Sequence, residues 1–310
     1  MIESRNLDSM GALMEVLQRD DADAASETVI YHYTSLAGFI SILKSNRIWA
    51  TNFRFLNDPT EVEYGRQRLG EFFSRLVREG DSSLVPFASL LGAASDALNQ
   101  QVLNKHLFIA SFTALRDDLN CWRHYGDNGY GVCFGVRVSD MVKSYRKGDE
   151  FGIDLRAVRY HEDDQFSLVH SYFQEMISVT DAADPFVKTF LAESLLTLAP
   201  IFKPSTFHSE SEWRLVIGNF IRERVPGYRR PLHFRAKEKN IFPYVEINIS
   251  PNANLQPSHP LDRLQTDLIP ITEVILGSKM TERDQSGVGM AMESFGHFAV
   301  VSVQSRLRMA

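Results

Sequence analysis

Three short segments of this chain place ionisable or polar residues where a hydrophobic side chain would serve a core better. The first is Tyr31-His32-Tyr33-Thr34-Ser35. Strand alternation puts Ile30, His32 and Thr34 on one face and Val29, Tyr31 and Tyr33 on the other, so His32 is either a satisfied core histidine or a hydrogen-bonding group at a ligand. The second is Trp122-Arg123-His124-Tyr125. Trp122 and Tyr125 lie three apart and share a face on a helix, suited to helix packing or to stacking on a planar ligand. The third is Ser209-Glu210-Ser211-Glu212-Trp213-Arg214. On a strand, Glu210, Glu212 and Arg214 project together while Trp213, Leu215 and Ile217 face the core. Two neighbouring carboxylates on one face repel unless a cation or a developing positive charge sits beside them. A solvated edge with Arg214 as ion partner accounts for the same pattern.

The elements that must position these residues read as interspersed strands and helices. A short helix from Leu7 to Gln18 and an acidic stretch from Asp20 to Glu27 precede a strand over residues 28–34. Leu36, Phe39, Ile40 and Leu43 recur at helical spacing, Asn46 closes that helix, and Ile48 to Phe53 reads as a second strand. Residues 60–103 are helical and surface-packed. LFIASFT (Leu107 to Thr113) is a strong strand, Leu119 to Tyr125 a short helix, and GVCFGV (Gly131 to Val136) another strand. Residues 166–202 are mostly helical, interrupted at Asp184-Pro185. EWRLVI, YVEINI and two short late strands around a helix over 287–295 complete the chain. Strict strand–helix–strand alternation fails in the middle, so the expected fold is α+β with a mixed, twisted sheet. We expect residues 1–27 to form an N-terminal helix and acidic linker. Residues 28–310 are expected to form one domain with helical insertions near 60–103 and 166–202.

Several function classes fall away. No G-x-x-x-x-G-K-[ST] loop, G-x-S-x-G elbow or H-E-x-x-H is present. The glycines Gly129, Gly131 and Gly135 precede a strand rather than a helix, unlike a dinucleotide fingerprint, and serve tight backbone entry into a sheet. The 310 residues carry a net charge of −6, which argues against coating nucleic acid or anionic membrane by bulk electrostatics. The basic run from Tyr228 to Lys239 reads as a solvated loop. Two cysteines, Cys121 and Cys133, make neither a disulfide framework nor a zinc site. No signal peptide and no membrane-spanning run is visible, so the cytoplasm is the expected location and no membrane partner is expected. The aromatic fraction of 11%, with 21 Phe, supplies a substantial core and stacking surface.

Taken in order, a His on an early strand, a central aromatic and a late Glu-x-Glu resemble the H-Y-E type of the ADP-ribosyltransferase superfamily. The sequence also resembles a bacterial family of unknown function through YHYTS, LNDPTE (Leu56 to Glu61), ASFT, CWRHYG, G-x-G and ESEWRL. These motifs run from residue 29 to 217, and EVILGSK near the end is a weaker echo. The resemblance implies a split mixed sheet and NAD as a consumed co-substrate, with no metal. It implies transfer of ADP-ribose to a protein or nucleic-acid acceptor, in a toxin or phage-defence effector partnered by an antitoxin or a second copy. Breaking the nicotinamide–ribose bond passes through an oxocarbenium-like state, which Glu212 would stabilise. Glu210 would orient or deprotonate the acceptor. Tyr125 or Trp122 would stack on the nicotinamide, with Tyr130 as rival to Tyr125. His32 would hold the adenosine-side ribose, with Tyr33, Thr34 and Ser35 beside it. Ser111 would support Glu212, and Arg214 would complete the cofactor-binding set. In the superfamily the Glu-x-Glu pair accompanies an initial Arg rather than a His, which leaves the acceptor open. An NAD glycohydrolase, or a non-catalytic module binding a nucleotide or RNA on the same fold, would use the same residues.

Overall fold

In a computed structural model of the chain, alternating β-branched and aromatic residues build an open, twisted sheet of ten strands among the described residues. The structure describes residues 25–56, 58, 60–79, 107–147, 153–179, 197–218, 230–237, 239–249, 268–298 and 300–307. The elements in chain order are β1 (Val29–Thr34), α1 (Leu36–Ser45), β2 (Ile48–Asn52), α2 (Thr60–Glu79), β3 (Leu107–Thr113), α3 (Leu119–His124) and β4 (Val132–Arg137). They continue with α4 (Val138–Lys147), β5 (Ile153–Ala157), α5 (Glu162–Val179), β6 (Glu212–Gly218), β7 (His233–Lys237), β8 (Asn240–Ile247), β9 (Ile271–Leu276), α6 (Glu282–Ser294) and β10 (Val301–Gln304).

The strands run β10-β9-β4-β1-β3-β2-β8-β7, with β6 on β3 and β5 on β6. All pairs are antiparallel except β9 with β10, which makes the sheet mixed. β3 organises the centre. One of its edges pairs with β6 along its whole length, from Leu107 opposite Gly218 to Thr113 opposite Glu212. Its other edge is shared: β1 meets it at Tyr31 opposite Thr113, and β2 meets it at Ile109 and Phe108. Two strands claiming one edge must diverge where they would collide, so the sheet splits between β1 and β2 beside Ser111.

Local signals set the helices around this split. Ser35 caps α1 by accepting the Gly38 N–H, and Asn46 ends it in the left-handed region at φ 54°. One sheet face carries Ile30, Phe112, Phe134 and Trp213, packed with Phe39 and Leu43 of α1, Met141 of α4 and Val288 of α6. The opposite face meets α2 and a 3-10 turn at Ala199–Ile201. Gly65 makes that contact possible, since a Cβ there would lie 1.8 Å from the Ala199 carbonyl oxygen.

Three expectations need correction or completion. The basic run was expected to be a solvated loop, yet His233–Lys237 pair with β8 as a strand. Its charge and its position at the sheet's edge disguise the alternation. Within 166–202, the described helix starts earlier, at Glu162, and runs to Val179, residues 180–196 lie outside the described residues, and Ala199–Ile201 form a 3-10 turn rather than α-helix. α4 and β5 carry no expectation from the sequence. The expected N-terminal helix, the end of the 60–103 insertion and the break at Asp184-Pro185 lie outside the described residues. Among the described residues, no helix is long and apolar enough to cross a membrane.

Candidate functional site

The start of β6 carries a network of five charged groups. Arg214 grips the Glu212 carboxylate with two hydrogen bonds, Nε to Oε1 at 2.8 Å and Nη2 to Oε2 at 2.9 Å. It also pairs with Glu61 of α2 and donates to the Pro200 carbonyl. Lys203 reaches three carboxylates: Glu61 at 2.9 Å, Glu210 at 2.5 Å and Glu212 at 2.8 Å. Three carboxylates against two cations leave one negative charge. Lys203 and Arg214 are almost fully buried, whereas the Glu210 side chain keeps 34% of its exposure. Glu212 is 8% exposed. Burial alone would raise its pKa, but the charges and hydrogen bonds of Arg214 and Lys203 outweigh that and hold it at about 2. Burial would lower Lys203 and Arg214, but the carboxylates around them, Glu212 foremost, push both above their usual values.

The strand expected over EWRLVI does begin at Glu212, but the alternation that would set Glu210 beside it does not reach back that far. Glu210 ends a 3-10 turn (Ser205–Glu210), and Ser211 takes a left-handed φ of 43°, so alternation starts only at Glu212. Glu210 still joins Glu212, because Lys203 gathers both and the Thr113 hydroxyl donates to the Glu210 carbonyl at 2.7 Å. Arg214 was expected to contact the cofactor. It is 2% exposed and fully engaged with protein groups, so it positions Glu212 instead. Ser111 faces Arg214 across the ladder and Thr113 faces Glu212, so Ser111 does not support Glu212 directly. Its side chain is exposed on the same face as both.

Tyr125 and Trp122 part company. Trp122 is fully buried, donates its indole N–H to Asp117 at 2.6 Å and meets Tyr33 edge-on at 5.0 Å. It offers no surface for stacking, which corrects its expected ligand role. Tyr125 caps the end of α3 and is 49% exposed. Burial of the phenol group and the charges of Glu210 and Glu212 push its pKa up to about 12, so the phenol lies within electrostatic reach of both carboxylates. Tyr130, also exposed, lies under Lys279 instead. Of Tyr125 and Tyr130, Tyr125 is the one whose phenol feels the charges of Glu210 and Glu212, while Phe207 packs against Lys203 from another side.

His32 sits where the sheet splits. Its Nδ1 lies 2.9 Å from the Ser111 carbonyl oxygen, and its ring packs 5.4 Å from both Phe112 and Phe134. Burial lowers its pKa, outweighing the carbonyl contact. The neutral ring donates from Nδ1 and keeps Nε2 as an acceptor. Tyr33 was expected near the ligand. It is 6% exposed, donates to the Leu115 carbonyl and accepts from the Asp118 N–H, so it builds the α3 turn. Ser35 is committed to capping α1, and Thr34 remains partly exposed at the end of β1.

Glu61, Lys203 and Tyr160 enter the site without having been singled out for it. Tyr160 accepts the Glu212 N–H at 2.9 Å and fixes the strand's start. Glu61 closes the LNDPTE motif, which was its only signal in the sequence. Among the described residues, no group of three or more His, Cys, Asp or Glu is arranged to hold a metal ion.

Residues 121–215 match a family described as a protein of unknown function (DUF2971). The matched stretch opens at CWRHYG and closes within ESEWRL. It contains Tyr125, Lys203, Glu210, Glu212 and Arg214 and leaves His32 and Glu61 outside. No curated protein and no solved structure matches the chain.

Proposed function

We propose that the protein is an ADP-ribosyltransferase that consumes NAD and modifies a protein or nucleic-acid acceptor. The observation that carries this reading is the carboxylate network with its surplus negative charge beside the exposed ring of Tyr125. A positive charge developing on a ribose carbon needs an anion already in place, and the worth of such an anion depends on its not having to reorganise. Glu212 meets that requirement, held in a bidentate grip and ionised far below neutral pH. Tyr125 offers a ring face for a cationic nicotinamide. Glu210, the most exposed of the three acids and tied only through Lys203, is free to receive an acceptor's proton. His32 offers Nε2 to a ribose hydroxyl at the split. NAD would supply the activated glycosidic bond, and no residue here needs to form a covalent intermediate.

The test is purified protein with NAD, reading free nicotinamide and labelled acceptor separately. Glu212→Gln should lower nicotinamide release by about 10²–10³-fold, the loss expected for one preorganised electrostatic contact. NAD affinity should hold, because the ground-state ribose carries no full charge. The substitution leaves two carboxylates, Glu61 and Glu210, facing two cations, so the network stays balanced and the protein folded. Full release by Glu212→Gln would end this reading, and nicotinamide release with no labelled macromolecule would assign the acceptor as water. NAD binding without any release would make the fold a nucleotide-binding module.

A further inference from the structure

Charge and shape continue along the same sheet face, away from Glu212. Cross-strand partners share a face, and so do residues two or four apart on a strand. Glu212 lies opposite Thr113 of β3, and Thr51 of β2 lies opposite Ile109. Thr113 and Ile109 are four residues apart, so Glu212 and Thr51 look out from one face, separated by roughly 13 Å along β3. Ser111, exposed, sits midway, next to the split that holds His32.

At the Thr51 end stands Arg235 of β7. Its Nη2 donates to Thr51 Oγ1 at 3.0 Å, and its guanidinium lies 5.8 Å from the ring centres of both Trp49 and Phe242. The side chain thus leans back from the outermost strand, over β8, to β2. Among the described residues, no carboxylate lies within ion-pair distance of it. His32 is within its electrostatic reach, and partial burial lowers its own pKa. A guanidinium that is anchored by one hydroxyl, flanked by two rings and unneutralised has its remaining donors turned to an anion.

Resting on the transferase reading of the same face, we propose that Arg235 is the anion arm of the donor site and takes the diphosphate of a dinucleotide, with Trp49 and Phe242 beside the adenosine half. The track then has a cation at one end and a surplus carboxylate with an aromatic ring at the other. That polarity matches a ligand that is anionic at its diphosphate and cationic at its nicotinamide. It also fixes the direction of binding, with the scissile bond at Glu212.

Calorimetric titration of the full chain with ADP, adenosine, nicotinamide riboside and NAD tests the assignment. Wild-type protein should bind ADP and NAD. Arg235→Gln should weaken both by about 10–100-fold, as expected for a lost charge-assisted hydrogen bond, and should leave adenosine and nicotinamide riboside unchanged. Arg235→Lys should recover part of the ADP affinity, and Thr51→Val should lose less than Arg235→Gln. Equal ADP affinity in wild type and Arg235→Gln overturns the proposal, as does an equal loss for adenosine. The underlying reading fails separately. ADP binding that depends on Arg235, with no nicotinamide release from NAD, keeps the anion arm and removes the enzyme. Nicotinamide release with an NAD KM unmoved by Arg235→Gln does the reverse. Failure of the wild type to bind either ADP or NAD overturns both.

Discussion

At Glu212 the two cations that hold the carboxylate also decide its chemistry. With a pKa of about 2 it has no proton to give at any working pH, so its contribution is electrostatic and not acid catalysis. The grip is reciprocal, since Arg214 is as dependent on Glu212 and Glu61 as they are on it. Removing one partner of a buried pair strands the others, so Arg214→Met should cost about 3–5 kcal/mol in denaturant unfolding. Arg214→Lys should recover only part, because an ammonium cannot reproduce the two-pronged contact. A midpoint unchanged in Arg214→Met would show that the carboxylates are solvated and the network is not structural. Among the described residues the Tyr125 hydroxyl has no hydrogen-bond partner, and its ring is half exposed, which separates its phenol from its face. Tyr125→Phe should retain NAD affinity, whereas Tyr125→Ala should weaken it by about 2–30-fold, the worth of a cation–π contact. Equal losses in the two variants would assign the role to the hydroxyl instead.

Elements bring these residues together, and the closest approach among them is that of α2 to the 199–201 turn. Gly65 lets the helix backbone touch Ala199, and this contact sets Glu61 against Lys203 and Arg214. Gly65→Ala must push the two apart. It should cost roughly 1–3 kcal/mol, as overpacking does, and lower nicotinamide release along with stability. A stable Gly65→Ala protein with full activity would mean that α2 does not position the site. On the opposite face, Trp213 lies in the main core, where Trp213→Ala should cost about 3–5 kcal/mol in unfolding free energy. The strands behind these predictions are legible in the sequence wherever alternation is clean, as in β1, β3 and β6. Their partners are less so. Glu61 and Lys203 lie 151 and 9 residues from Glu212 in the chain, but only the packing of α2 and the turn brings them to it. Ser211 shows the opposite failure. Its left-handed backbone interrupts a pattern that reads as continuous strand, so Glu210 reaches the site through Lys203 rather than through pleating. Trp122 and Tyr33 misled because residue type does not reveal whether an indole or phenol has found a protein partner; both have.

For the whole molecule, the same electrostatics that prepare the site set how stability responds to acid. Two groups at the centre of the sheet have pKa values below their ordinary ones: His32, lowered by burial, and Glu212, held at about 2. A group whose pKa is lower in the folded state takes up protons more readily once unfolded, so stability falls as pH falls through the gap between the two values. For His32 the loss starts below its ordinary 6.5, and for Glu212 it starts below 4.5 and continues to about 2. The first window reflects a neutral imidazole that the fold declines to charge, and the second reflects a carboxylate that the fold insists on charging. Their effects therefore separate on the pH axis. Asp58, Glu273, Asp284 and His297 also have lowered values, but they persist in every variant, so they cancel in a difference. Measured by denaturant unfolding, wild-type stability should decline in two stages from pH 7 to pH 2. Subtracting Glu212→Gln should isolate a lower stage on the order of 2–3 kcal/mol, absent above pH 5. Subtracting His32→Gln should isolate the upper stage and leave the lower one intact. Parallel curves for wild type and Glu212→Gln below pH 4.5 would mean that Arg214 and Lys203 do not hold this carboxylate ionised, and the electrostatic role assigned to it in the site would fall with them.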